Sequence, residues 1–181
     1  MKQALLLVDI QLDYFKGGAM ELVEMEEAAK KAQYMLGYFR ETGWPVFHVR
    51  HLALKRGATF FLPDTPGAEI HSLVLPTNGE IVVEKHYPNS FRETTLLESL
   101  RKQNIDSLAI CGAMSHMCID ATTRAAYDHG FQCTVIEDAC TTRDLLFKGV
   151  LVSARIAHSA FMAALQNTYA QITTARDFSS Q

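Results

Sequence analysis

Three side chains able to carry out covalent acyl chemistry stand just beyond three apolar runs. Asp9 follows "ALLLV", Lys85 follows "IVVE", and a short turn after "LAIC" and Gly112 delivers Cys118. A free thiol with a pKa near 8.5 is mostly protonated at neutral pH, and the thiolate is the attacking species. The start of a helix contributes about half a positive charge, and a neighbouring ammonium adds to it. Lys85 can supply that ammonium. Asp9 can take the thiol proton and return it to a leaving group, the usual partnership of nucleophile and base. Backbone N–H groups in the turn before Cys118 can hold an oxyanion, and losing one such donor typically costs about 3 kcal/mol of barrier.

Such a constellation needs elements that bring distant residues to one edge. The strand candidates are Ala4–Val8, Val46–Val49, Ile81–Val83, Ser107–Cys111, Gln132–Ile136 and Tyr169–Thr173. Several are apolar at nearly every position, the pattern of strands covered on both faces. Between them lie helix candidates over Met25–Thr42, Thr94–Gln103, His116–His129 and Phe147–Gln166. Gly43 and Gly130 read as helix stops, and Pro45 bars continuation of the first helix. The alternation predicts a doubly wound α/β sandwich of three layers, Rossmann-like, with a mostly parallel sheet of about six strands. Ligands bind such sheets beyond the carboxyl ends of the strands, where Asp9, Lys85 and the turn to Cys118 all emerge. Residues 52–80 break the pattern with three prolines, three glycines and Phe60 and Phe61, which are expected to be exposed. A long irregular segment of this kind reads as a lid or substrate loop.

The chain of 181 residues is expected to form a single domain over 1–181. A net charge of -3 and a pI near 6.1 give no basic footprint for a nucleic-acid partner. The opening "MKQALLLVDIQLD" is apolar too briefly for a signal-peptide core, and no stretch approaches the roughly 20 apolar residues of a membrane span. A cytoplasmic protein with reduced thiols is therefore expected, acting on a small molecule, with no membrane partner and no cofactor. Cys111, Cys133 and Cys140 read as small buried hydrophobes.

The same residues carry a family likeness that runs nearly end to end. "LLLVDIQLDYF", "VEKHYPNSF", "ICGAMSHMCIDATTRAAYDHGF" and "VIEDACTTRD" follow one another in the order of the isochorismatase-like cysteine hydrolases, whose relatives include nicotinamidases and N-carbamoylsarcosine amidases. The resemblance implies that Asp9, Lys85 and Cys118 form a catalytic triad. It also implies a cis peptide at Ala113–Met114 and an oxyanion hole made by the backbone N–H groups of Met114 and Cys118. Ser115 stands where the family usually has Thr. Oligomers are common in the family, so a homodimer or larger homo-oligomer is expected, with the Phe147–Gln166 helix offering an apolar contact.

A second departure concerns metal. Nicotinamidases hold an ion with an Asp-x-His pair and a further His near the second strand, whereas this chain has "FHVRHLAL". No Asp precedes His48 and His51 at that spacing, and strand residues three apart point to opposite faces, so no metal is expected. The leading expectation is a metal-independent cysteine hydrolase that cleaves a C–N bond of a small amide or carbamoyl-type substrate through a thioester. The alternatives are isochorismatase-type hydrolysis of a vinyl ether, whose enzymes can lack the Cys, and a non-catalytic ligand-binding or redox member of the fold. Tyr14, Phe15, Phe60, Phe61, Tyr87 and Met114 offer walls for a small apolar pocket. Gln11, Phe15, Phe61 and Tyr87 are the substrate-contact candidates, and Arg50 and Arg143 could meet a substrate carboxylate. His116 reads as a cap or site-lining residue. His158, on the stripe Leu151, Ala154, His158, Phe161 and Leu165, reads as a satisfied histidine in the core or at a subunit contact.

Overall fold

The structure is a computed structural model that describes residues 2–180. In chain order its regular elements are β1 (Gln3–Val8), α1 (Met25–Glu41), β2 (Val46–His51), β3 (Ile81–Lys85), α2 (Leu96–Lys102), β4 (Ser107–Ala113), α3 (Asp120–Asp128), β5 (Gln132–Thr141), β6 (Leu145–Phe147), β7 (Val150–Val152), α4 (Ala154–Leu165), β8 (Gln171–Thr173) and α5 (Ala175–Ser179). Six strands pair in the order β3-β2-β1-β4-β5-β8, every neighbouring pair parallel. α1 and α5 pack together on one face, and α3 and α4 pack together on the other. The uninterrupted apolar character of the central strands follows from this cover. All seven residues of β4 and five of the six in β1 are buried. α1 buries Met25, Ala28, Ala29, Ala32, Met35, Leu36 and Phe39 at intervals of three and four, the stripe that a 3.6-residue turn requires.

The strand order places β1 beside β4, where successive strands stop extending the sheet on one side and begin on the other. Asp9 leaves the end of β1 and the turn to Cys118 leaves the end of β4, so the two flank the crevice expected at such a switch point. Lys85 ends β3, two strands away from β1. At roughly 4.8 Å per strand, only a long side chain spans β2 to reach Asp9.

Several expected boundaries move. The helix expected from Phe147 starts at Ala154, where the Ser153 hydroxyl accepts the Ile156 N–H. Its first residues instead form an antiparallel hairpin of β6 and β7, turning through Lys148 and Gly149, both with positive φ. Two consecutive positive-φ residues fit the hairpin's twist. The apolar run across this turn mimics a helical stripe, which is why the sequence misleads there. Leu146, Phe147, Val150 and Leu151 on the hairpin are exposed. The segment expected as one helix over His116–His129 is a single π-helical turn, Ser115–Ile119, followed by α3. β5 runs on to Thr141, and β8 begins only at Gln171.

Gly112 fixes the geometry of the β4 exit. Its φ is +126°, and a Cβ built there would lie 1.9 Å from the Val8 carbonyl oxygen on the adjoining strand. A Gly112→Ala substitution therefore meets both a clash with backbone and an unfavourable φ, and should cost about 3 kcal/mol or more. Urea denaturation measures this, and an unchanged midpoint would contradict the register of β1 against β4.

Candidate active site

The three chemistry-bearing residues converge. The Lys85 ammonium lies 2.8 Å from Asp9 Oδ2, and both side chains are fully buried. Sγ of Cys118, a carboxylate oxygen of Asp9 and a ring nitrogen of His51 all lie within 4.8 Å of one another. Asp9 sits at φ +55°, in the left-handed region that Asp tolerates better than most residues. Its Oδ1 is buried without a hydrogen-bond partner among the described residues, and Oδ2 meets the ammonium off the line of a good hydrogen bond. The carboxylate is thus held by charge while keeping acceptor capacity free for a proton.

The ammonium is held on its other sides by backbone. The carbonyls of Tyr87 and Pro88 stand 3.2 and 3.3 Å from Nζ, and His51 Nδ1 stands at 3.4 Å. The loop after β3 is in turn pinned to α3. Ser90 N–H and Oγ bond Thr122 Oγ1 at 3.1 and 2.8 Å, one helical turn beyond the sulfur. Burial alone would pull the Lys85 pKa down. The Asp9 carboxylate outweighs it, and the net shift is upward. Lys85 is therefore a permanent cation.

The thiol is another matter. Burial pushes Cys118 up, the Asp9 charge pushes the same way, Lys85 pulls back, and the net value is about 12. The lowering expected from Lys85 and a helix start is outweighed here. The α-helix begins only after Cys118, and the low-dielectric surroundings favour S–H. Asp9, with an oxygen within 4.8 Å of the sulfur, is placed to accept that proton. Burial also holds His51 down at about 4, so its ring is neutral.

The turn carrying Cys118 is fixed from both ends. The Ala113–Met114 peptide is cis. The Met114 carbonyl accepts the N–H groups of Met117 and Ile119 at 3.0 and 3.2 Å. His116 Nδ1 lies 2.5 Å from Thr142 Oγ1, beyond the end of β5, and Ser115 Oγ lies 2.8 Å from His158 Nδ1 on α4.

The substrate-contact candidates divide. Gln11 donates both amide hydrogens, to the carbonyls of His51 and Ala68 at 2.9 and 2.8 Å, and accepts the His51 N–H at 2.7 Å. That side chain fastens the 52–80 segment to β2 and has no donor left for a ligand. Phe15 stacks on His71 of the same segment, with ring centroids 3.8 Å apart. Tyr87 is covered by the Arg92 guanidinium at 3.6 Å and serves Lys85 through its carbonyl. Phe61, expected to be exposed, is fully buried because its ring packs 4.5 Å from Tyr14 and 5.9 Å from His51, while the Asp13 carboxylate accepts its N–H at 2.6 Å. Arg50 is committed to Glu84 and Glu69.

His51 is the site residue that the sequence reading assigned only to a rejected metal set. Its register pairs it with Lys85, so extending the expected strand Val46–Val49 by two residues places it at the same edge. His48 faces elsewhere and pairs with Glu80 at 2.9 Å. Asp9, His51 and Cys118 have the donor types of a metal site, but the Lys85 ammonium already stands as the cation against that carboxylate. Cys118 is 4% exposed. A cavity of about 860 Å³ lined by Tyr127, Phe131, Gln132 and Tyr169 opens instead at the amino end of β5, away from the thiol.

The Isochorismatase domain model matches residues 3–177, and the chain belongs to the isochorismatase family of hydrolases. The chain is 49% identical over 178 residues to YddQ, an uncharacterized isochorismatase family protein of Bacillus subtilis, covering 98% of this chain and 99% of that one. It is 25% identical over 194 residues to a maleamate amidohydrolase of Pseudomonas putida, covering 99% of this chain and 86% of that one. A solved structure from Oleispira antarctica, assigned as an isochorismatase hydrolase, superposes with a TM-score of 0.95 at 47% identity and covers 99% of this chain and 97% of that one.

If burial and Asp9 keep the resting thiol neutral, alkylation of Cys118 should continue to accelerate through pH 10 when followed peptide by peptide with iodoacetamide. A plateau with a midpoint near pH 7 would contradict this electrostatic description.

Proposed function

We propose that the protein is a cysteine hydrolase, independent of metal, that cleaves the C–N bond of a small amide or carbamoyl-type substrate through a thioester. The observation that carries this reading is a buried cysteine sulfur within 4.8 Å of an oxygen of a carboxylate that is ion-paired to lysine and keeps an acceptor oxygen free. The amidohydrolase among its relatives supports the same reaction class.

In this mechanism Asp9 takes the thiol proton while the sulfur attacks the carbonyl carbon. The negative charge that develops on the carbonyl oxygen is received by the backbone N–H groups of Met114 and Cys118. Asp9 then passes its proton to the departing nitrogen, the C–N bond breaks, and the acyl group remains on sulfur. A water molecule gives Asp9 a proton as it attacks the thioester, and that proton returns to the sulfur when the acid product leaves. Lys85 stays paired with the Asp9 carboxylate and supplies the positive charge a metal would otherwise provide. His51, neutral and partly accessible, offers a hydrogen-bonding ring beside the reacting atoms. The 52–80 segment, tied down through Gln11, Asp13 and Phe15, acts as the lid that excludes water from the thioester, with Phe61 as its plug.

A panel of small primary amides and ureido compounds, assayed for released ammonia, tests the reading. Cys118→Ala and Asp9→Asn should each lower kcat by about 10³-fold or more, with folding retained in circular dichroism. Full activity in Cys118→Ala would overturn it, and cleavage of a vinyl ether by that same variant would move the assignment to Asp9-led vinyl-ether hydrolysis.

A further inference from the structure

His158 was expected to be a histidine of the core or of a subunit contact, and the proposed chemistry does not use it. Its place in the fold argues for a more specific part. Ser115 opens the π-helical turn that ends at the nucleophile, and its hydroxyl is fully buried. The only side chain that meets this hydroxyl among the described residues is His158, with Nδ1 at 2.8 Å from Oγ. On the other side of the ring, Nε2 lies 3.6 Å from Glu137 Oε2.

Both supports of the histidine are built rather than incidental. α4 starts on a capped Ser153, and the Asp144 carboxylate accepts the Ala154 N–H at 2.7 Å, which fixes the helix at its first turn. Glu137 comes from β5 where the register against β4 slips, Ile110 pairing with Val135 but Gly112 with Cys140. The extra residues of that irregularity carry Glu137 to α4. A histidine present only to fill space would not need a carboxylate on one nitrogen and a buried hydroxyl on the other.

We propose that Glu137, His158 and Ser115 form a positioning chain that sets the turn delivering Cys118, with His158 as its adjustable link. The inference rests on Cys118 being the nucleophile. Nε2 faces the Glu137 carboxylate at 3.6 Å, and Nδ1 shares one hydrogen bond with the Ser115 hydroxyl, whose donor follows the ring's tautomer. The His116–Thr142 contact and the two N–H groups on the Met114 carbonyl hold the remainder of the turn. Ser115 is thus the end of the turn that depends on another helix. His158 is a positioning residue and touches no substrate.

Two pairs of substitutions separate positioning from simple packing. Asn at 158 places an amide atom about where Nδ1 stands and keeps the bond to Ser115, whereas Gln reaches only toward the Nε2 position. Thr at 115 keeps the hydroxyl, and Ala removes it. For whichever small amide the wild-type protein cleaves best, His158→Gln and Ser115→Ala should lower kcat by about 10- to 100-fold with KM within about twofold, because a displaced nucleophile loses its attack geometry. His158→Asn and Ser115→Thr should remain within about threefold of wild type.

The alkylation rate of Cys118 by iodoacetamide at fixed pH, read by peptide mass spectrometry, should separate the same variants in the opposite sense. It should be faster in the Gln and Ala variants, where the sulfur is no longer held in its buried place. If His158→Gln does not fold, Ser115→Ala against Ser115→Thr carries the comparison. Equal kcat and equal alkylation across the four variants would overturn the chain, as would equal losses in His158→Asn and His158→Gln. Should the wild-type protein cleave none of the amides, the reading of the nucleophile fails on its own, while the alkylation order still decides whether the chain sets the turn.

Discussion

A lysine and an aspartate, both sealed from solvent and 2.8 Å apart, stand at the centre of this molecule, and much of its architecture serves to keep them so. Removing water from two charges is costly, and a buried pair is tolerated only where geometry and further hydrogen bonds compensate. Here the compensation is uneven. Lys85 has two backbone carbonyls and an imidazole nitrogen around it, while Asp9 keeps one oxygen unpartnered. The lysine side is settled and the aspartate side is left able to accept a proton. In the proposed mechanism that asymmetry lets one partner of an ion pair act as a base beside a thiol.

The strand order explains how three residues so far apart in sequence come to share this pocket. β1 and β4 meet at the centre of the sheet, so Asp9 and the turn to Cys118 are neighbours by topology, and Lys85 reaches them across β2. Loop anchors complete the enclosure. Gln11 and Asp13, just after β1, hold the 52–80 segment by backbone hydrogen bonds, and Phe61 fills the space against Tyr14. The closure that excludes water also raises the pKa of the thiol. In the proposed mechanism burial and proton removal are therefore linked, since a sulfur that its surroundings favour as S–H needs a base nearby.

What the sequence revealed follows from where the physics is local. Runs such as "ALLLV" and "SLAIC" are apolar at consecutive positions because both faces are covered, so the parallel sheet and the edge bearing Asp9, Lys85 and Cys118 were legible. The hairpin over Leu145–Val152 was not, because its Lys148–Gly149 turn is a weak signal inside an apolar stripe. Gln11 looked like a ligand contact because a buried amide and a binding amide are the same residue type. Only the positions of the His51 and Ala68 carbonyls, set by tertiary structure, distinguish them. Phe61 looked like a surface aromatic for the same reason. His51 needed two more residues of strand and the pairing register with Lys85. The state of the thiol was the least legible feature, since burial and the charge of Asp9 exceed the influence of Lys85 by an amount that only the folded surroundings define.

The central claim is that Cys118 itself carries the acyl group while Asp9 moves the proton. The most direct measurement is intact and peptide mass spectrometry of the protein quenched in acid during turnover of a small amide. The account expects a mass increase equal to the acyl fragment, located on Cys118 and absent when Asp9 is replaced by Asn. Turnover that proceeds with no adduct on Cys118, or with the adduct on another residue, would contradict it.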